Sequence, residues 1–348
     1  MKRVLGIFRG FPGLGRVVAG VTLLEMLRDN YDCDVKFISY LQGNSYLRTR
    51  GYINLEEATP LDYCSIGLLP TNKMGKFIHD TINQFKPDVV IVDGEPLILQ
   101  SIKISHINVK VVALLNPADV DNPNNDKEAM DYFNALYSLC DLAIVHGLRR
   151  VKPDKRYKNM ISVNTIIRQE ILTVKNVPTN NIYCILGGGT VNVGKQFEDS
   201  TLTIGKLCQQ IAALLPNHSM HIICSSRNIY EALSGYEVSG NIVLYDDIIP
   251  AEKYYRDACL VITRSGRNTL SELALLGIPS ISFVSGCAYR KIEQTNNIND
   301  LKLSTVMPAS LNIKPDTFAD ICLEMMKKCP NHYFLQGNNK AIECILKL

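Results

Sequence analysis

The chain has 348 residues, 46% apolar and 20% charged, with 37 Lys and Arg against 34 Asp and Glu for a net charge of +3. That length exceeds what one hydrophobic core fills, so two domains of about 170 residues are expected, and the composition is that of a globular protein without low-complexity tracts or repeats. A surplus of three charges is far from the basic stripe that nucleic-acid binding needs, no apolar run approaches the roughly 20 residues of a bilayer span, and the first residues lack a signal peptide's layout.

The 11 cysteines are odd in number and stand singly, as at Cys184, Cys224 and Cys259, so reduced core thiols of a cytoplasmic protein are expected rather than a disulfide framework. The histidines form no zinc-ligand spacing, and no metal site is expected.

Short Val, Ile and Leu runs alternate with longer amphipathic segments, the signature of parallel strands covered on both faces by crossover helices. Strands are predicted at 4–8, 35–39, 89–92, 111–115 and 142–145, with helices over 17–30, 73–85 and 128–139. The pattern restarts with strands at 181–186, 220–224, 242–244, 260–263 and 280–283 and helices at 201–215, 251–257, 269–276 and 317–328. Two successive sets imply an α/β protein of two Rossmann-like, doubly wound parallel-sheet domains facing a cleft. The turn-rich Asn176-Val177-Pro178-Thr179-Asn180-Asn181 supports domains 1–168 and 169–330, and 331–348 is read as a carboxyl-terminal helix packing back on the first.

The first strand runs into Gly10-Phe11-Pro12-Gly13-Leu14-Gly15-Arg16. Glycines let a ligand approach the backbone, and the amides opening the next helix favour an oxyanion, although a bare strand-to-helix turn has the same composition. No Gly-Lys-Ser/Thr follows, and Val18 breaks the dinucleotide fingerprint. The second domain opens likewise, with Gly187-Gly188-Gly189-Thr190 after its first strand.

The most informative stretch is Ile262-Thr263-Arg264-Ser265-Gly266-Arg267-Asn268-Thr269-Leu270-Ser271-Glu272, followed by Gly277-Ile278-Pro279. A strand ends, small residues turn the corner, and a helix starts near Asn268 with its amides available to pyrophosphate oxygens. Glu272, one turn on, is placed to reach out and accept hydrogen bonds from a ribose diol. Glu293-Gln294-Thr295-Asn296-Asn297 is a polar cluster suited to sugar hydroxyls, or simply a solvated helix start.

In this order, these segments resemble the donor domain of GT-B glycosyltransferases, particularly the MurG-like group. The resemblance implies that Ser265, Gly266, Arg267, Asn268, Thr269 and Glu272 hold the nucleotide's ribose and phosphates and that Glu293, Gln294 and Asn297 hold the sugar. Asn164-Thr165-Ile166-Ile167-Arg168 is similar to the group's interdomain segment, which would turn Arg168 toward the donor. Gly13-Leu14-Gly15-Arg16 looks like its Gly-x-Gly-His loop, and the segment from Pro87 to Pro96 resembles its Pro-Asp strand. Two departures stand out: Arg16 replaces a histidine and cannot accept a proton, and Arg267 replaces a small residue.

The implied activity is inverting, metal-independent transfer from a UDP- or dTDP-sugar, as co-substrate and with no cofactor, to a small-molecule, lipid or glycan acceptor. Helix N-termini, the Gly187–Thr190 loop and Arg168 or Arg267 would stabilise the leaving diphosphate. Glu95 and Asp119 are the candidate general bases, since each follows a first-domain strand, with Asp93 and Asp121 next; each equally suits a turn or cap. A nucleotide-sugar hydrolase or epimerase of the same fold, and a non-catalytic sugar-nucleotide-binding subunit, are the rival readings. The basic stretch from Arg149 to Lys158 reads most simply as a solvated loop, with peripheral contact to an anionic membrane as the other reading.

Overall fold

Strands covered by helices on both faces are apolar along their whole length rather than at alternate positions, and the central strands of this chain follow that rule. The computed structural model describes residues 1–10, 14–53, 72–122, 124, 126–152, 157–187, 195–224, 226–236, 239–247, 249–284 and 288–348, with backbone only at 72–74, 195–199 and 288–290. Strands β1 (Arg3–Phe8), β2 (Asp34–Ile38), β3 (Val89–Asp93), β4 (Lys110–Leu115), β5 (Leu142–Gly147) and β6 (Met160–Asn164) form one parallel sheet in the order β2-β1-β3-β4-β5-β6. Strands β7 (Asn181–Ile185), β8 (Ser219–Ile223), β9 (Ile242–Tyr245), β10 (Ala258–Arg264), β11 (Ser280–Phe283) and β12 (Val306–Ala309) form a second, in the order β12-β11-β10-β7-β8-β9.

Every position of β3, β5 and β11 is buried, whereas the edge strands β6, β9 and β12 keep half-buried or exposed residues. The expected strands are present to within a residue or two at their ends; β6 and β12, both at sheet edges, are additional. Helices Gln42–Thr49, Pro96–Ile104, Arg227–Ser234 and Ala288–Leu301 also go beyond the periodic pattern, and the helix expected over 251–257 is the single turn Ala251–Tyr254.

The chain divides into two compact units, Met1–Arg168 with Gln336–Leu348, and Gln169–Leu335. The first unit packs a core on each face of its sheet, one around Phe8, Leu24, Ile91 and Ile144 and one around Leu5, Val90, Leu99 and Val145. Helix Asn338–Leu346 adds Ala341, Ile342 and Ile345 to the former core. It is fastened by the fully buried Asn338, whose Oδ1 accepts from Ile167 N at 2.8 Å and whose Nδ2 donates to Ile167 O at 2.7 Å. The second unit's main core joins Cys184, Ile204, Cys208, Ile222, Ile262 and Phe318.

Each sheet has a switch point where the winding reverses, between β1 and β3 in the first and between β7 and β10 in the second. Loops leaving the carboxyl ends of such a pair diverge to opposite faces and open a crevice, the usual ligand position in open α/β sheets.

Candidate active site

At the first switch point β1 continues as Arg9, whose N donates to Asp93 O at 3.0 Å. After β3 the chain turns through Gly94 at φ +78°, and a Cβ there would lie 2.4 Å from Arg16 Cδ. The absent side chain is what lets Arg16 lie across the strand end. From the first turn of helix Gly15–Tyr31, Arg16 Nη1 donates to Asp93 Oδ1 at 2.7 Å and to Asp119 Oδ2 at 3.0 Å, and Nη2 to Asp119 Oδ1 at 2.8 Å. Asp119 Oδ2 also accepts from Asn116 N at 2.8 Å, in the capping box of the turn Pro117–Val120. Burial works against the charge on Arg16, but Asp119 and Asp93 outweigh it and hold the guanidinium firmly protonated.

Glu95 sits differently. It occupies the N-cap of helix Pro96–Ile104 without bonding that helix's amides through its side chain. Its Oε1 instead accepts from the Tyr40 hydroxyl and, at 3.5 Å, from Arg9 Nε. Burial raises its carboxyl above the ordinary value, against the opposing pull of Arg9 and the Tyr40 bond. Of the two expected bases, then, Asp119 has both oxygens on Arg16, while Glu95 is a buried carboxyl raised above its ordinary value. Asp93 is fully buried under Arg16. Asp121 is exposed and paired with Arg149 at 2.6 Å, and Arg150 Nε donates to Asn164 Oδ1 at 2.9 Å, so the start of the basic stretch is tied to its own unit. In the glycine loop, Leu14 is the N-cap and Gly15 the first residue of the helix, while Gly13 lies outside the described residues, as do residues 153–156 of the basic stretch.

At the second switch point β7 ends beside Gly187; Gly188, Gly189 and Thr190 lie outside the described residues. Arg264 closes β10 and is 7% exposed. Its Nη2 donates to Thr201 Oγ1 and reaches Ser200 Oγ at 3.4 Å, both on helix Lys195–Ala212, and its Nη1 is 3.8 Å from where a Cβ on Gly187 would stand. Burial lowers this guanidinium to about 10, leaving it charged at neutral pH but poorly solvated.

The fully buried Ser265 places its Oγ 2.8 Å from Ser282 Oγ, and Gly266 then opens helix Arg267–Leu276, whose N-terminus has no side-chain cap. Arg267, Asn268 and Thr269 are half-buried in its first turn, with Arg267 Nε 3.3 Å from Asn268 Oδ1. Asn297 Nδ2 donates to Ser265 O at 2.8 Å, which draws helix Ala288–Leu301 onto this loop together with the buried Gln294 and half-buried Glu293. Glu272, in the same helix as Arg267, is 3% exposed and its Oε2 accepts from the Tyr255 hydroxyl at 3.3 Å. Arg168 is half-buried at the end of the first unit's main span.

The arrangement thus assembles Gly187, Arg264, Ser265, Gly266 and Asn297 at one strand-end crevice, and Arg9, Arg16, Tyr40, Asp93, Glu95 and Asp119 at the other. Arg264, Thr201 and Tyr40 are absent from the sequence-derived candidates. The available signal for Arg264 was a guanidinium ending an otherwise apolar strand; Thr201 and Tyr40 carried none. Among the described residues no group of three or more His, Cys, Asp or Glu is placed to hold a metal, and no helix is long and apolar enough to cross a membrane.

Residues 200–307 match the glycosyltransferase family 28 C-terminal domain, which spans β8 to β12 and all of the Ser265–Asn297 assembly. No curated protein sequence matches the chain. Among solved structures, MurG from Acinetobacter baumannii superposes with a TM-score of 0.62 at 14% identity, covering 100% of both chains. The glycosyltransferase SnogD from Streptomyces nogalater gives 0.56 at 15% identity over 100% of this chain and 99% of its own. UDP-GlcNAc 2-epimerase from Neisseria meningitidis, solved with UDP-GlcNAc, gives 0.56 at 13% identity over 99% and 100%. The chain therefore has the GT-B fold seen in MurG, and residues 200–307 of its second unit match the glycosyltransferase family 28 C-terminal domain.

Proposed function

We propose that the chain transfers the sugar of a UDP- or dTDP-sugar to a hydroxyl of a small-molecule, lipid or glycan acceptor, with inversion and without a metal or cofactor. The observation that carries this reading is the buried Arg264 at the β7/β10 switch point, beside Gly187 and the side-chain-uncapped helix at Arg267. A buried guanidinium beside a helix N-terminus that lacks a side-chain cap is an arrangement that a diphosphate would favour, and it lies within the segment that matches a glycosyltransferase domain.

On this reading the second unit holds the donor. Arg264, Ser265, the amides from Gly266 to Thr269 and the Gly187–Thr190 loop face the diphosphate, with Arg168 or Arg267 as further cations. Glu272 takes the ribose, and Glu293, Gln294 and Asn297 the sugar. The first unit supplies the acceptor site and Glu95. The acceptor oxygen bonds to the anomeric carbon, the bond from that carbon to the diphosphate breaks, and the acceptor's proton goes to Glu95. The negative charge left on the diphosphate is taken by guanidinium and amide dipoles, the part a divalent cation plays elsewhere. The work is placed in the cytoplasm, against the membrane surface if the acceptor is a lipid.

A thermal-shift screen of nucleotide-sugars tests the donor, because a ligand that binds only the folded state raises the melting temperature by mass action. A UDP- or dTDP-sugar is expected to stabilise the protein, and Glu272→Ala to weaken that binding about 10–100-fold through loss of charge-assisted hydrogen bonds. No shift with any nucleotide-sugar would sink the reading. A second reading, a hydrolase or epimerase of the same build, draws on the likeness to the Neisseria epimerase; it predicts conversion of the nucleotide-sugar with no acceptor added.

A further inference from the structure

Beside Glu95 the backbone is built to an unusual tolerance around one side chain. Just past β2 the Ser39 Oγ donates to Phe8 O at 2.8 Å, and the next residue, Tyr40, is 6% exposed. Leu41 then takes φ +43°, ψ −116°, a left-handed conformation disfavoured for a branched side chain by roughly 1–3 kcal/mol, although it is 40% exposed and no core packing demands it. A Cβ on Gly10 would come 1.8 Å from Tyr40 O, and one on Gly43 would come 2.0 Å from Ser39 Oγ and 3.0 Å from Gly10 Cα. Only glycine at both positions lets the two loops close, and within the second loop Gly43 N donates to Tyr40 O at 2.9 Å. Strain and close approach converge on the residue whose hydroxyl reaches Glu95.

The bond leaves the carboxylate asymmetric. Both recorded donors, Tyr40 and Arg9, go to Oε1, and no donor to Oε2 occurs among the described residues. The same carboxyl belongs to an N-cap residue yet leaves its helix uncapped.

We propose that Tyr40 is a positioning residue for Glu95: its hydroxyl fixes Oε1, which orients Oε2 as the atom that takes a proton from the ligand hydroxyl. The inference rests on the reading of Glu95 as the base. Tyr40 itself exchanges no proton with substrate. By donating to the ionised carboxylate it opposes the burial that would otherwise keep Glu95 neutral, so it sets the pH at which the base becomes available.

The Glu95 side-chain carbon can be titrated by NMR in the unliganded full-length protein labelled with ¹³C at glutamate, using Glu95→Gln to assign the signal. In Tyr40→Phe, which keeps the ring and removes the hydroxyl, the Glu95 midpoint should rise by about one pH unit. In Tyr52→Phe, which removes a hydroxyl bonded to Glu25 in the same unit, it should stay put. A merely structural Tyr40 would lower the melting temperature of Tyr40→Phe and leave the Glu95 midpoint where it was, and that result overturns the proposal. If Tyr40→Phe does not fold, the wild-type protein still decides: the Tyr40 ring-oxygen carbon should titrate with the Glu95 midpoint, and a Tyr40 signal flat across that range refutes the contact. Because no substrate is needed, a shifted midpoint with no sugar transfer refutes the transferase reading alone. Where transfer is found, the acid limb of kcat/KM should move upward with the midpoint in Tyr40→Phe.

Discussion

The two strand-end crevices handle charge in opposite ways. In the first unit Arg16 and Arg9 face Asp93, Asp119 and Glu95, a cluster with its cations already matched by carboxylates. In the second unit Arg264, more deeply buried than either arginine, leans on the hydroxyls of Thr201 and Ser200. A matched cluster has little to gain from an arriving anion but can tune a carboxyl for proton transfer. A guanidinium held by neutral hydroxyls beside a helix N-terminus has more to gain when an anion arrives. On the proposed reading the contrast suits acid–base work at one crevice and anion binding at the other.

The largest expected effect breaks the first half of that contrast. Glu95→Gln should lower turnover about 10²–10⁴-fold, the usual range for a general base. It should also stabilise the protein at neutral pH. A carboxyl raised by burial favours its neutral form in the folded state, so its contribution is fully present below the ordinary carboxylate value and is lost as pH rises through the raised one. Urea melts at pH 4 and pH 7 should therefore show the mutant gaining only at the higher pH. Equal stability at both would mean that burial does not raise the Glu95 carboxyl above its ordinary value.

Arg16→Met attacks the matched cluster itself. It removes the cation between Asp93, with a fully buried side chain, and Asp119, a loss of about 3–5 kcal/mol for a buried ion pair broken on one side. Chemical denaturation measures it; a change under 1 kcal/mol would show that Arg16 is incidental to the first unit. Arg264→Met should do the reverse. Taking away a guanidinium that burial disfavours should raise the melting temperature of the unliganded protein by about 2–4 °C, while nucleoside diphosphate binding weakens about 10–100-fold. A mutant that is destabilised yet binds UDP normally would erase the distinction between the crevices.

How much of this was legible in the sequence follows the same physics. Strands such as β3, apolar from Val89 to Val92, and β4, apolar from Val111 to Leu115, were readable because both faces are covered. Edge strands β6 and β12 were not, since Met160-Ile161-Ser162-Val163-Asn164 is half polar and Val306-Met307-Pro308-Ala309 contains a proline that only an edge tolerates. The Ser265 to Asn297 assembly was visible because its parts are close in sequence and carry a family resemblance. The Arg16 cluster was not, because its partners Asp93 and Asp119 lie 77 and 103 residues away. Charged residues at strand ends look alike on paper; whether one is clamped, as Asp119 is, or poised, as Glu95 is, depends on contacts that no local pattern encodes.

The smallest expected effect probes how Arg264 is held. Thr201→Val keeps the shape of the side chain and removes the oxygen that accepts from Nη2. If the hydroxyl only satisfies the guanidinium, the unliganded protein loses about 1.5–3 kcal/mol, the range for a hydrogen bond to a charged group, and nucleotide affinity is untouched. If it also aims the guanidinium toward Gly187, affinity falls as well, by about 3–10-fold, because a misdirected donor binds less well than an aligned one. Isothermal titration with UDP on the folded mutant separates the two. The second outcome is expected, since Thr201 and Gly187 both lie beside Arg264, and a bond on Nη2 fixes the direction of Nη1 in a planar group.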